Sequence, residues 1–185
     1  IEKLCGWLAD NSRWHSSRQA LSKDDLTRAG RLCKSDLVSE MVKEFDTLQG
    51  IMGGIYAAKF DESDNVSAAI AEQYLPSGPE SPVPSNPYGC ILSIADKADT
   101  LAGCFGLGMI PTGTADPYAL RRAALGIARI ALEAGLRFDA SALFASALEG
   151  YGEREWKLHP EQALARLGEF FSLRVKNHFI SGGAE

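Results

Sequence analysis

The chain has 185 residues, 45% hydrophobic and 23% charged, with a formal net charge of −5. That length and balance fit one domain, or one domain with part of a neighbour, large enough to bury a substantial core. The acidic balance excludes nucleic-acid binding by bulk electrostatics, so any RNA contact must come from local basic clusters. No apolar run is long enough to span a membrane. Beginning at Ile1, with neither methionine nor signal peptide, the sequence reads as a piece of a longer cytoplasmic polypeptide.

The chain is helical in pattern almost throughout. From Lys23 to Phe45 apolar residues recur at Leu26, Ala29, Leu32, Cys33, Leu37, Met41 and Phe45, predicting one long helix capped by Ser22 with Asp25. Leu48 to Phe60 is a glycine-broken segment followed by a short helix. Its glycines lack the lysine and Ser/Thr of a phosphate loop, and predict tight turning or close helix approach. Asp64 to Tyr74 is a further helix. Leu75 to Tyr88 holds five of the eight prolines and must be a loop. Gly89 to Leu107 resumes the helical period.

Asp116 and Pro117 then read as N-cap and N1 of a helix carrying Leu120, Ala123, Ala124, Ile127, Ile130 and Ala131 on one side. Phe138 to Leu148 and Pro160 to Phe179 supply two more amphipathic helices, and nothing reads as a sheet. The expectation is an all-α bundle of about seven or eight helices, with residues 1–150 as the main domain and 151–185 as a helical connector.

The helix after Asp116 offers the sharpest chemistry. Arg122 and Arg129, seven residues apart, project in nearly the same direction, with Arg121 close by. Guanidinium forks at fixed spacing suit carboxylates or phosphates, although a solvated arginine face would look the same in sequence. Two other basic clusters are Arg28, Arg31 and Lys34 on one helix, and Arg166, Arg174 and Lys176 on the last. Three such clusters would matter for RNA only if they converged in space.

Asp96, Lys97 and Asp99 form the most enzyme-like group, since two carboxylates at i and i+3 share a helix flank and hard cations want oxygen ligands. His15, His159 and His178 are each isolated, and no HxxxH, HxxH or His-Asp pair exists, so structural pairing of Asp96 and Asp99 with Lys97, Lys34 or an arginine is the plainer reading. GxSxG is absent. Cys5, Cys33, Cys90 and Cys104 contain no CxxC and read as reduced, largely buried thiols. Trp7, Trp14 and Trp156 read as packing anchors.

Four blocks, Lys34 to Ala57 (KSDLVSEMVKEFDTLQGIMGGIYA), Glu72 to Pro76 (EQYLP), Ala95 to Ile130 (ADKADTLAGCFGLGMIPTGTADPYALRRAALGIARI) and Phe170 to Phe179 (FFSLRVKNHF), resemble in order the later part of the bacterial glycyl-tRNA synthetase β subunit. The resemblance covers roughly Ala29 to Phe179. It implies an HD-superfamily-like helical domain leading into a C-terminal anticodon-binding domain that would lie mostly beyond Glu185. It further implies an enzyme that attaches glycine to tRNA(Gly) using ATP and Mg²⁺, with the adenylate-forming site in the α subunit and the β subunit engaging tRNA, assembled as a heterotetramer.

HD phosphohydrolases hold metal through a histidine, a His-Asp pair and a later aspartate. Asp96 resembles the last of these, whereas Ile51 to Gly53 stand where the His-Asp pair would fall and Lys34 to Leu37 supply no first histidine. The resemblance therefore implies a vestigial pocket at Asp96 and Asp99 with no catalytic residues and no metal or cofactor of its own. It makes Arg121, Arg122, Arg129 and Lys97 candidate tRNA contacts. A surviving metal-dependent HD phosphohydrolase and a purely structural spacer are the alternatives.

Overall fold

In the computed structural model, residues 1–15, 20–112 and 116–181 are described. The organising element is the helix α6 (Pro87–Gly106), started by an Asn86 side chain that accepts from the Tyr88 amide, with Pro87 at N1. Fourteen of its twenty residues are buried, among them Ile91, Leu92, Ile94, Ala98, Leu101 and Phe105. A helix apolar on nearly every side must lie at the centre of its bundle.

Around α6 pack α1 (Glu2–Asn11), α2 (Lys23–Leu32), α5 (Asp64–Glu72), α7 (Leu120–Glu133), α8 (Ala140–Glu149) and α9 (Pro160–Ser181). Leu8, Leu26, Ile70, Ile127, Phe144 and Leu167 from these helices close one continuous core. Phe105 meets Phe170 at 5.2 Å between ring centroids, and Phe144 meets Phe171 edge-on at 5.3 Å. Two short helices, α3 (Glu40–Glu44) and α4 (Ile51–Lys59), lie at the margin, α4 against α5. The fold is all-α, with nine helices among the described residues.

The count exceeds expectation because the long helix predicted over 23–45 is broken. α2 ends at Leu32, a 3-10 turn spans Ser35–Val38, and Ser39 sits extended as the N-cap of α3. The hydroxyls of Ser35 and Ser39 donate to the carbonyls of Leu32 and Asp36, competing with the helical ladder. The buried Asp36 carboxylate accepts from the Gly50 amide at 2.7 Å, which ties the turn to the start of α4. The Ser22 cap forms as expected, accepting from the Asp25 amide.

A small antiparallel ladder, unforeseen in the sequence, joins β1 (Arg13–Trp14) to β2 (Leu136–Arg137). Two residues per strand are too few to show a period-two pattern. The glycine segment does what its residues suggested. Gly50 takes φ +81, and a Cβ on Gly54 would stand 2.8 Å from the Ser67 carbonyl oxygen, so α4 and α5 approach at backbone distance. All four cysteines are free thiols, three of them buried. Burial raises the Cys33 thiol to about 11 and that of Cys5 further still.

Candidate nucleic-acid interface

The helix α7 begins at Leu120, three residues later than Asp116 and Pro117 suggested, because Pro117 and Tyr118 form a turn and Ala119 takes a left-handed φ of 54. Asp116 still caps it. Its two carboxylate oxygens accept from the Leu120 amide at 2.8 Å and the Arg121 amide at 2.9 Å. Orphan donors of the first turn are thus satisfied by a charged acceptor at the positive end of the helix. Leu120, Ala124, Ile127 and Ile130 bury one face against α6 and α9, which fixes the direction of the arginines on the other.

Arg121 and Arg122 face α9. Together with Leu125 of α7 and Arg174, Asn177 and His178 of α9 they line a cleft of about 240 Å³. The guanidinium of Arg174 lies 4.9 Å from the centre of the Phe170 ring, and its Nε is buried with no hydrogen-bond partner among the described residues. Members of two of the three basic clusters thus meet: Arg121 and Arg122 of one and Arg174 of the other. Three guanidinium groups on two packed helices create a local positive potential on a chain that is acidic as a whole.

Arg174 was visible in the sequence only as part of a separate cluster, and Asn177 and His178 carried no signal by themselves. Their spacing from Arg174, at i+3 and i+4, is the pattern that places all three on one flank of α9. The remaining basic cluster stays apart. Arg28 is bonded to Glu62 and Lys34 to Asp96, both on the α2 side.

Arg129 and Lys97 are turned elsewhere. The Arg129 Nη1 donates to the carbonyls of Gly78, Pro79 and Ser81 at 3.2, 2.8 and 2.9 Å, and its Nε pairs with Glu133 at 2.8 Å. Its side chain is only 11% exposed. Lys97 is buried, donating to Ser93 Oγ at 2.7 Å and to the Leu75 carbonyl at 3.1 Å. Its stem crosses Gly126, where a Cβ would come within 2.8 Å of Lys97 Cε. Burial pushes the Lys97 ammonium down to about 8. Both residues brace the proline loop against α6 and α7, and Arg129 meets Arg122 only at a small gap that they line with Pro76, Gly78 and Pro79, outside the cleft shared with α9.

Asp96 and Asp99 also part company. Asp96 meets the Lys34 ammonium at 2.9 Å, which itself donates to Gln73 and Tyr74 and lies 4.2 Å from the Tyr74 ring centre. Burial acts to lower the Lys34 pKa, but Asp96 and the Tyr74 hydroxyl outweigh it and the net shift is upward. Asp99 accepts from the Tyr151 hydroxyl at 3.2 Å, and burial raises its pKa. Among the described residues no three His, Cys, Asp or Glu side chains come together as a metal site. A divalent cation does not fit this donor set, in which an ammonium already faces the Asp96 carboxylate.

Comparison with known proteins agrees with the resemblance of the four sequence blocks. The family model described as "Glycyl-tRNA synthetase beta subunit" matches residues 1–185. The glycine–tRNA ligase beta subunits of Nitratidesulfovibrio vulgaris (strain DSM 19637 / Miyazaki F) and Oleidesulfovibrio alaskensis are 64% and 65% identical over all 185 residues. That of Solidesulfovibrio magneticus is 54% identical over 183 residues, 99% of the chain. The chain spans about a quarter (26%) of the length of each of these relatives. With its full length matched by the family model and by these relatives, the chain belongs to the glycyl-tRNA synthetase beta subunit family.

Proposed function

We propose that this region is a noncatalytic helical module of the β subunit that helps to position tRNA(Gly) by contacting its phosphate backbone. The observation that carries the reading is the convergence of Arg121, Arg122 and Arg174 on one α7–α9 cleft. Guanidinium groups suit phosphate oxygens because their planar donors pair in a fork and stay charged at any working pH. Contacts of this kind set register and orientation without reading sequence.

The chemistry of glycine activation, with its ATP and Mg²⁺, is assigned by the same reading to the companion α subunit in a cytoplasmic heterotetramer. This region supplies no reacting group. The HD-like character of the bundle and the division after residue 150 belong to the proposal as well. It treats Asp96 as a vestige of a metal pocket in which Lys34 supplies the positive charge.

The test is tRNA(Gly) binding by the complete α–β enzyme at two salt concentrations. Changing Arg121, Arg122 and Arg174 to Gln should weaken binding and flatten its salt dependence, by about one unit of logarithmic slope for each phosphate no longer engaged. Unchanged affinity and slope would overturn the reading.

A second reading, a purely structural spacer, is favoured by the internal engagement of Lys97 and Arg129. It expects those arginine substitutions to leave tRNA binding intact, while disruption of the bundle impairs aminoacylation.

A further inference from the structure

We propose that the α7–α9 cleft receives the base of one unpaired guanosine of the tRNA. This rests on the reading of the cleft as a tRNA contact, and adds a base to the backbone contacts proposed there.

Size limits what can enter. The cleft lies between two packed helices and encloses about 240 Å³. Pockets that enclose a whole small molecule measure about 300–1,000 Å³. A space below that range admits one group of a larger ligand and no segment of duplex. In RNA, the groups that swing out into protein pockets are the unstacked bases of loops, bulges and ends.

The lining distinguishes a base from a phosphate. Leu125 lines both this cleft and the small gap at the proline loop, so it forms the wall between them. An anion pressed against Leu125 loses water there and gains no donor in return. A base brings an apolar face to such a wall and a polar edge to the groups around it. His178 and the three arginines that share the cleft carry planar groups, of the kind on which bases stack.

The polar groups select the base. Arg121, Arg122 and Arg174 present donors only, and no carboxylate lines the cleft. The amino groups of adenine and cytosine therefore meet cations. Guanine offers O6 and N7, two adjacent acceptors that one arginine fork bonds together. Arg28 and Arg129 are paired with Glu62 and Glu133, whereas among the described residues neither Arg122 nor Arg174 forms an ion pair. Their charge is thus left for an acceptor from outside. Arg174 is also held in advance by the Phe170 ring, which lowers the ordering cost of binding.

The test is dimethyl sulfate footprinting of tRNA(Gly) on the complete α–β enzyme, since this reagent methylates guanine N7. One unpaired guanine should be protected, and Leu125→Trp, which fills the cleft and leaves every arginine in place, should restore its reactivity. The same change should weaken tRNA binding by about tenfold with an unchanged salt slope, because no phosphate contact is lost. A 7-deazaguanosine at the protected nucleotide should weaken binding to the unaltered enzyme by about tenfold, an arm that does not depend on how the variant folds. Absence of a protected unpaired guanine, protection that survives in a folded Leu125→Trp enzyme, or indifference to 7-deazaguanosine each overturns the proposal. If the arginine substitutions still flatten the salt slope in that event, the backbone reading stands and only the base contact falls.

Discussion

The helix α7 is met by cationic side chains on two sides, and the two sides use them in opposite ways. Toward the proline loop, Arg129 and Lys97 are drawn inward onto carbonyls of Leu75, Gly78, Pro79 and Ser81. Toward α9, Arg121 and Arg122 line a cleft with Arg174. Arg122 and Arg129 are the same residue type, seven residues apart on one rigid scaffold. Both border the proline loop, but Arg129 bonds to its carbonyls while Arg122 also lines the α9 cleft. Within the proline loop a turn closed by the Ser81 amide on the Gly78 carbonyl points the carbonyls of Gly78, Pro79 and Ser81 at one guanidinium. The α9 flank presents Arg174, Asn177 and His178 in place of that row of carbonyls.

That contrast is sharpest in stability. Replacing Arg129 by Ala removes four hydrogen bonds at once and leaves the Pro79 and Ser81 carbonyls to find water, the Gly78 carbonyl keeping the Ser81 amide, so we expect a loss of about 3 kcal/mol. Arg122→Ala should cost within about 0.5 kcal/mol, as exposed substitutions usually do. Urea unfolding of the two variants side by side measures the difference. Equal losses would show that both arginines are structural and would erase the distinction.

The bundle itself was legible because burial writes a helical period: Ile91, Ile94, Ala98, Leu101 and Phe105 announce α6 without any structure. The break between α2 and α3 was hidden for the opposite reason. Leu37, Met41 and Phe45 continue the apolar period of α2, yet all three are exposed, so the pattern there records a surface and not a core. Of the candidate site, Arg121 and Arg122 could be read from the sequence. Their pairing with Arg174 depends on how α7 crosses α9, and no local pattern encodes that. The fates of Lys97 and Arg129 were equally hidden, since the carbonyls that hold Arg129 lie about fifty residues away in the chain.

Lys97 gives the comparison a pH signature. Its folded-state pKa, about 8, lies below the ordinary lysine value of 10.5, so between those values the unfolded chain binds more protons than the folded one. For this group, stability must rise as pH increases from about 8 toward 10.5, because the cost of burying the charge disappears when the ammonium deprotonates. Cys5 and Cys33, whose thiols are raised by burial, act in the opposite sense above their ordinary value of 9.0. A comparison with Lys97→Met cancels them. Relative to that variant, the protein should gain about 2 kcal/mol between pH 7 and pH 9.5, read from unfolding free energies. A flat difference would mean that the ammonium is better solvated than its position between Ser93 and Leu75 indicates.

The smallest effect tests what holds the two sides in register. Asp116 caps α7 from four residues before its first residue, bonding the amides of Leu120 and Arg121, and so fixes where Arg121 and Arg122 leave the helix. Asp116→Ala should cost about 1 kcal/mol, the usual loss for a helix cap. The loss should be distributed unevenly. Hydrogen exchange should speed at the start of α7, while the amides around Arg129, two turns further on and anchored to the proline loop, keep their protection. Asp116→Asn retains an acceptor and should recover most of the loss, separating the hydrogen bond from the charge–dipole contribution. If Asp116→Ala loosens Arg129 as much as Arg121, then α7 moves as one rod and the proline-loop clamp does not act independently of the cap.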